Sequence, residues 1–262
     1  MFSPIPQLIC TVIERELEAA VENDALRLHY QPQVHLVTHR VVGHEALLRW
    51  QHPVRGLLMP GSFLPLVHGS KVMLTIAGWT LHAALRDWVE RADGSSSPPV
   101  AVNISASLVD DPTCIKLVKT ALDVHGAPPE ALKLEITEQS LLMRPKRAMD
   151  VLKRLHRWGV GISVDDFGTG FSSLVHLRDL PITEVKIDRS FVEALAGSRR
   201  TQKIVQTVVT LGSHLGIDVI GEGVASPELE KYLLGTGCEL GQGYYLGYPS
   251  PITAMNPLSA AL

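Results

Sequence analysis

The sequence predicts an α/β fold, a TIM-like (β/α)8 barrel with one antiparallel strand near the N-terminus, and three observations carry that expectation. Short β-rich apolar runs alternate with segments of helical period. The chain opens on what reads as a hairpin, not on a strand-helix unit. About eight strand-and-helix units fit into 262 residues, close to the roughly 250 typical of such barrels. A doubly wound open sheet is the competitor, but no G-x-G-x-x-G turn follows the first strand.

The hairpin is read from residues 26–31 and 41–48, two extended runs divided by a polar stretch with Thr38, His39 and Arg40. Further strands are expected at 100–102, 131–134, 160–164, 184–187 and 218–220. Between them lie helical stripes: Ala77, Leu81, Ala84 and Trp88; Ala148, Val151, Leu152 and Leu155; Ile204, Val208, Leu211 and Leu215. The stretch Gly-Ser-Ser-Ser-Pro-Pro at 94–99 looks like a linker but has the length of an ordinary helix-to-strand loop. The whole of 1–262 is therefore read as one domain, its core at about 10–255.

Composition narrows the function. With 24 Lys and Arg against 27 Asp and Glu, the net charge of −3 argues against wrapping polymeric nucleic acid through bulk charge. Cys10, Cys114 and Cys238 form no C-x-x-C pair, which suits a reduced, cytoplasmic setting and gives no zinc signature. The apolar run at 8–13 meets Glu14, Arg15 and Glu16 at once, unlike an export signal. The most apolar window, 204–221, is broken by Gln206, Thr207, Thr210, Ser213, His214 and Asp218, so a soluble protein with no membrane segment is expected.

The chemistry gathers where strands end. The run 41–44 leads to Glu45, 100–102 to Asn103, and 133–134 to Glu135 with Glu138 three residues on. The run 161–164 leads to Asp165 and Asp166, 183–185 to Lys186, and 219–221 to Glu222. One acidic residue after a strand is ordinarily a helix cap. The same residue class after five or six strands is not explained by capping. In a barrel these positions share the C-terminal rim, where active sites are built. Carboxylates crowded there repel one another unless cations intervene, and an all-oxygen donor set suits Mg²⁺ or Mn²⁺. Lys186 would orient a water or neutralise a phosphate, and Asp188, two residues on, would hold it. The eleven histidines contain no H-E-x-x-H and are read as surface residues. Lys146, Arg147, Lys153, Arg154 and Arg157 read as a solvated basic face, and Gly168-Thr169-Gly170 and Gly241-Gln242-Gly243 as turns.

These blocks resemble a known family. Glu45-Ala46-Leu47-Leu48-Arg49-Trp50-Gln51-His52-Pro53 is similar to the signature of the EAL-domain cyclic di-GMP phosphodiesterases. Six more blocks follow in order: Val102-Asn103-Ile104-Ser105, Leu134-Glu135-Ile136-Thr137-Glu138, Asp165-Asp166-Phe167-Gly168-Thr169-Gly170, Lys186-Ile187-Asp188-Arg189-Ser190-Phe191, Glu222-Gly223-Val224 and Gln242-Gly243-Tyr244.

The resemblance implies cleavage of cyclic di-GMP to linear pGpG in bacterial second-messenger signalling, with two divalent ions. On it, Glu45, Asn103, Glu135 and Asp165 hold the first ion, and Asp165 bridges to a second near Asp166, with Glu222. Lys186, Glu45 and Glu222 form the catalytic set. Gln31, Arg49 and Gln242 bind substrate or support the site. Glu138 braces the loop 166–173, which links metal binding to a homodimer interface. The barrel uses nearly the whole chain, so a sensor or regulatory partner is expected in trans. Two positions depart from the family: Ala225 where a second glutamate usually follows Glu-Gly-Val, and His68 where an acidic residue is common. Loss of an outer partner costs about 10–100-fold and weakens a catalyst without abolishing it. The readings from other classes are a non-catalytic cyclic di-GMP receptor or interaction module, and hydrolysis of a different phosphodiester.

Overall fold

The hairpin sets the geometry of everything after it. In the computed structural model, which describes residues 7–91, 97–139, 145–169 and 180–254, a first helix α1 (Gln7–Glu22) leads into β1 (Leu26–His35) and β2 (Arg40–His52). These two strands pair antiparallel from Leu26 opposite Trp50 to His35 opposite Arg40. After the short β3 (Gly56–Leu58) and α2 (Val72–Arg91), the chain alternates strand and helix: β4 (Val100–Asn103), α3 (Ala106–Val109), α4 (Thr113–His125), β5 (Leu132–Thr137), α5 (Pro145–His156) and β6 (Gly161–Phe167). It continues with β7 (Glu184–Ile187), α6 (Arg189–Ala194), α7 (Arg199–Leu215), β8 (Asp218–Gly221), α8 (Pro227–Gly235), β9 (Leu240–Gly241) and β10 (Ser250–Pro251).

Eight of these strands close a barrel. From β2 the order runs β4, β5, β6, β7, β8 and β9, each parallel to the last, and β9 returns to β1. Strand β1 is antiparallel to both its ring neighbours, as the hairpin predicted. Closure leaves no free edge in the ring. The short β3 and β10 lie outside it, on β2 and β1.

The period of two along each strand separates core from site. On β2, Ala46, Leu48 and Trp50 share a buried cluster with Ile13 and Leu17 of α1 and Ile76, Leu81 and Leu85 of α2. Each large apolar side chain buried there contributes roughly 1.5–3 kcal/mol. The intervening Glu45 faces the opposite way, into the barrel. On α5, Ala148, Val151, Leu152 and Leu155 are all buried, matching the stripe read from sequence.

Three expectations need correction. On α7 Val205 and Gly212 are buried and Val208 and Leu211 of the expected stripe pack against the core, whereas Ile204 and Leu215 at its ends are exposed. The helix packs tightly against β8 at Gly212, where a Cβ would lie 2.5 Å from Val219 Cγ2. Glu45 does not end a strand: β2 runs on for seven residues beyond it, pairing through Trp50 with β1 and through His52 with β3. The histidines are not all at the surface. His52 is buried, its Nδ1 accepting the backbone N–H groups of Val54 and Arg55 at 3.1 Å each.

The three cysteines are free. Among the described residues no helix is long and apolar enough to cross a membrane. Residues 94–96 of the Gly-Ser-Ser-Ser-Pro-Pro stretch, and 170–173 of the loop expected to reach a dimer interface, lie outside the described residues.

Candidate active site

Barrel stagger brings residues from different depths of their strands to one level. Glu45 pairs across to Ala101, two residues before Asn103; Asn103 pairs to Glu135; and Asp165 pairs to Thr137, two residues after Glu135. From Glu45 to Asn103 and from Glu135 to Asp165 the inward-facing group is thus shifted by two residues, while Asn103 and Glu135 stand level. The accumulated shift is the shear that closure requires. A mid-strand Glu45 and a strand-end Asn103 can therefore touch: Asn103 Nδ2 donates to Glu45 Oε1 at 2.7 Å.

The centre of the group is an ammonium. Lys186 is 0% exposed, and its Nζ lies 2.7 Å from Glu222 Oε1 and 3.0 Å from Glu45 Oε2. Glu135 Oε2 is 3.2 Å away and Asp165 Oδ1 3.6 Å. Burial alone would favour a neutral lysine, but Glu135, Glu45, Glu222 and Asp165 outweigh it and hold Lys186 well above its ordinary range.

One ammonium cannot satisfy all these carboxylates. Burial lifts Glu135 well above the usual carboxylate range, and the adjacent Glu45 adds to the rise. Burial also pushes Glu222 up to about 7, with Lys186 opposing and Asp165 and Glu45 reinforcing it. For Glu45 burial acts upward too, but Lys186 and the hydrogen bonds from Gln242 and Asn103 prevail and keep it below its ordinary value. Asp166 is raised by burial, then by Asp165 and Asp188. The group is short of positive charge.

Asp166 completes a second cluster. Its backbone is left-handed, φ 55°, with its N–H donating to Asp165 Oδ1 at 2.9 Å. Asp is among the few residues that tolerate this region, and such strain concentrates at functional sites. One carboxylate oxygen each from Asp165, Asp166 and Glu222 fall within 4.8 Å of one another. The donors are all hard oxygens, and the ammonium already occupies the place of a cation, so the residues fit divalent ions of the Mg²⁺ or Mn²⁺ class.

The remaining candidates divide. Gln242 Nε2 donates to Glu45 Oε2 at 2.6 Å and to Gln31 Oε1 at 3.1 Å, so both amides are built into the wall. Arg49 is buried; its Nη1 donates to the Leu48 carbonyl, while its Nε has no hydrogen-bond partner among the described residues. Glu138, buried, accepts the N–H of Gly168 at 2.9 Å and so grips the start of the loop after β6. Asp188 does not hold Lys186; its carboxylate caps α6 by accepting from Ser190 N–H at 3.0 Å and from the Ser190 hydroxyl. Ala225 and His68 are both exposed, away from the buried centre.

One residue of the site escaped the sequence reading. Gln33, 1% exposed, reaches Glu135 Oε1 at 3.4 Å and Gln242 Oε1 at 3.3 Å. It crosses the barrel over Gly43, where any Cβ would lie 2.4 Å from its Oε1. Gln33 stands two residues from Gln31 on the same face of β1, and that spacing was the available signal.

A family model described as EAL domain matches residues 14–249. The bifunctional diguanylate cyclase/cyclic di-GMP phosphodiesterase MucR of Pseudomonas aeruginosa is 40% identical over 237 residues, covering 90% of this chain and 35% of that protein. The cyclic di-GMP phosphodiesterase NbdA of the same organism is 38% identical over 244 residues, 93% of this chain and 31% of its own length. The chain spans about a third of the length of these curated relatives. Among solved structures, the PaMucR phosphodiesterase in complex with c-di-GMP superposes with a TM-score of 0.86 at 39% identity, covering 92% of this chain and 98% of that one. The EAL enzyme Bd1971, in its cAMP- and cyclic-di-GMP-bound form, gives 0.87 at 30% identity, with 95% and 69% covered.

Proposed function

Because the chain belongs to the EAL domain family, we propose that it is a divalent-metal-dependent phosphodiesterase opening one ester of cyclic di-GMP to give linear pGpG. The observation that carries this reading is the ring of Glu45, Glu135, Asp165 and Glu222 around a single buried ammonium. Glu45, Asn103, Glu135 and Asp165 would hold one ion, and Asp165, Asp166 and Glu222 a second. Divalent ions bound there supply Lewis-acid neutralisation of phosphoryl charge and a more acidic water.

The chain's own groups do the rest. Asn103 and Gln242 each hold one oxygen of Glu45, fixing that carboxylate from both sides. Lys186, whose charged form its carboxylate neighbours favour, would serve as a donor that orients a water or a phosphate oxygen. Arg49, its Nε without a hydrogen-bond partner among the described residues, would offer positive charge to the dianionic substrate. Glu138 positions the loop after β6 through Gly168. We further infer a reducing cytoplasmic setting from the free cysteines, and, from the family, a homodimer controlled by a sensor or partner in trans.

Chromatography of cyclic di-GMP incubated with Mg²⁺ or Mn²⁺ tests the proposal. Wild type yields pGpG, and Glu45→Ala lowers turnover by about 10³-fold or more. Binding of the nucleotide with no pGpG under either ion would make the chain a receptor instead. Unchanged turnover in Glu45→Ala would overturn the ligand assignment.

A further inference from the structure

Three buried amides, Gln31, Gln33 and Gln242, line the barrel beside the carboxylates, and the chemistry above does not use Gln33. A buried amide costs free energy unless it is hydrogen-bonded, and an apolar side chain of the same size would fill the space without that cost. What Gln33 touches therefore bears on why it is there.

One backbone carbonyl fixes the orientation of all three amides. The Gly247 carbonyl can only accept, so Gln31 presents Nε2 to it at 3.1 Å and turns its own Oε1 inward. That oxygen and Glu45 Oε2 both accept from Gln242 Nε2, at 3.1 and 2.6 Å, which leaves Gln242 Oε1 as an acceptor. Gln33 Nε2 faces it at 3.3 Å and directs its second hydrogen to Glu135 Oε1 at 3.4 Å. Glu135 Oε2 accepts from Lys186 Nζ at 3.2 Å, and Lys186 also donates to Glu45 Oε2 at 3.0 Å. Glu45, Gln242, Gln33, Glu135 and Lys186 thus close a ring of hydrogen bonds. Both bonds from Gln33 are long, so it acts through placement more than through strength.

Strand geometry aims Gln33 into this ring. It pairs with Gly43 on β2, and the next pair is Val34 with Val41, so the register skips Val42. An extra residue of this kind bends a strand and re-aims its side chains. At Gly43 a Cβ would lie 2.4 Å from Gln33 Oε1, so the glycine leaves the room that the amide occupies.

From this ring we propose that Gln33 is a positioning residue, which holds the Glu135 carboxylate in place relative to Glu45 before a divalent ion binds. The inference deepens the phosphodiesterase reading and rests on Glu45 and Glu135 being ligands of one ion. Without Gln33, Glu135 would keep Lys186 on one oxygen and lose its donor on the other. Ordering that carboxylate would then be a cost of metal binding.

Titration of metal-free protein with Mn²⁺, the free ion read by electron paramagnetic resonance, tests this without turnover. Gln33→Met keeps length and bulk but loses both hydrogen bonds, and should raise the Kd of one Mn²⁺ site about tenfold, the low end for a lost outer partner. Gly43→Ala crowds the amide without removing a polar group and should shift the Kd in the same direction. In steady state, Gln33→Met should lose kcat at low Mn²⁺, recover it as Mn²⁺ is raised, and keep the wild-type KM for cyclic di-GMP. An unchanged Mn²⁺ Kd in Gln33→Met overturns the inference; if that variant does not fold, an unchanged Kd in Gly43→Ala does so. Fewer Mn²⁺ sites at the wild-type Kd would mark a purely structural role and overturn it too. If wild type binds Mn²⁺ yet forms no pGpG, the phosphodiesterase reading fails alone, and the titration still decides the role of Gln33. If wild type binds no Mn²⁺, the ligand assignment fails and takes the inference with it.

Discussion

The barrel interior holds two buried ionic layers, one at its floor and one at its mouth. Lys133, Ser163 and Glu184 form the floor; each stands two residues before Glu135, Asp165 and Lys186 on the same strand, one pleat repeat below. Lys133 pairs with Glu184, whose other oxygen accepts from Ser163 Oγ at 2.8 Å. One cation meets one buried carboxylate there, with the more exposed carboxylate of Asp218 within electrostatic reach of both. At the mouth one ammonium meets four carboxylates, with Asp166 a fifth beside them. Burial and ion pairing are common to both layers, so neither marks function. The mark is imbalance: the mouth holds more negative charge than its own residues neutralise, and either an added cation or protons on the raised carboxyls Glu135 and Glu222 remove the deficit.

That contrast can be broken most forcefully at its centre. Lys186→Met should cost about 3–5 kcal/mol of unfolding free energy in metal-free protein, since it strips the cation from buried carboxylates. Mn²⁺ should restore part of that loss, read as a rise in the urea midpoint. No metal-dependent recovery would count against a cation site at the mouth.

Breaking the floor should behave differently. Glu184→Gln leaves Lys133 without its counter-charge and should cost about 2 kcal/mol, at the low side because the Lys133 side chain is 14% exposed. The same loss should appear with and without Mn²⁺, and pGpG formation below the melting range should stay within about twofold. Metal-dependent destabilisation would show that the two layers are coupled.

The smallest expected effect sharpens the comparison by leaving the interior altogether. His44, next to Glu45 but on the other face of β2, is pushed down to about 4, by burial first and by Arg91 second. Its folded value lies below the ordinary 6.5, so the unfolded chain takes up the proton first. Stability from this residue is intact above pH 6.5 and falls as the pH drops toward 4, by about 2 kcal/mol between pH 7 and 5. The carboxylates raised at the mouth act in the opposite sense. Unfolding of His44→Gln beside wild type separates the two, and equal pH slopes in both proteins would contradict the assignment.

Much of this was legible residue by residue. Position at the ends of apolar runs gathered Glu45, Glu135, Asp165 and Lys186 onto one rim, and the polar break at Thr38 to Arg40 announced the antiparallel β1. The α5 stripe was correct because four apolar side chains decide which face is buried. The α7 stripe held at Val208 and Leu211 but missed Gly212, which packs against β8, because a missing side chain carries no hydrophobic signal.

By itself, then, the sequence determined which residues follow the apolar run of each strand and that their chemistry is acidic, since both follow from local pattern and residue type. Only the tertiary structure decided how far each strand slides past the next. That stagger put a mid-strand Glu45 level with a strand-end Asn103, drew Gln33 across Gly43 to Glu135, and set one lysine among four carboxylates. The reason is physical: shear belongs to the closed ring of strands, and no single strand encodes it.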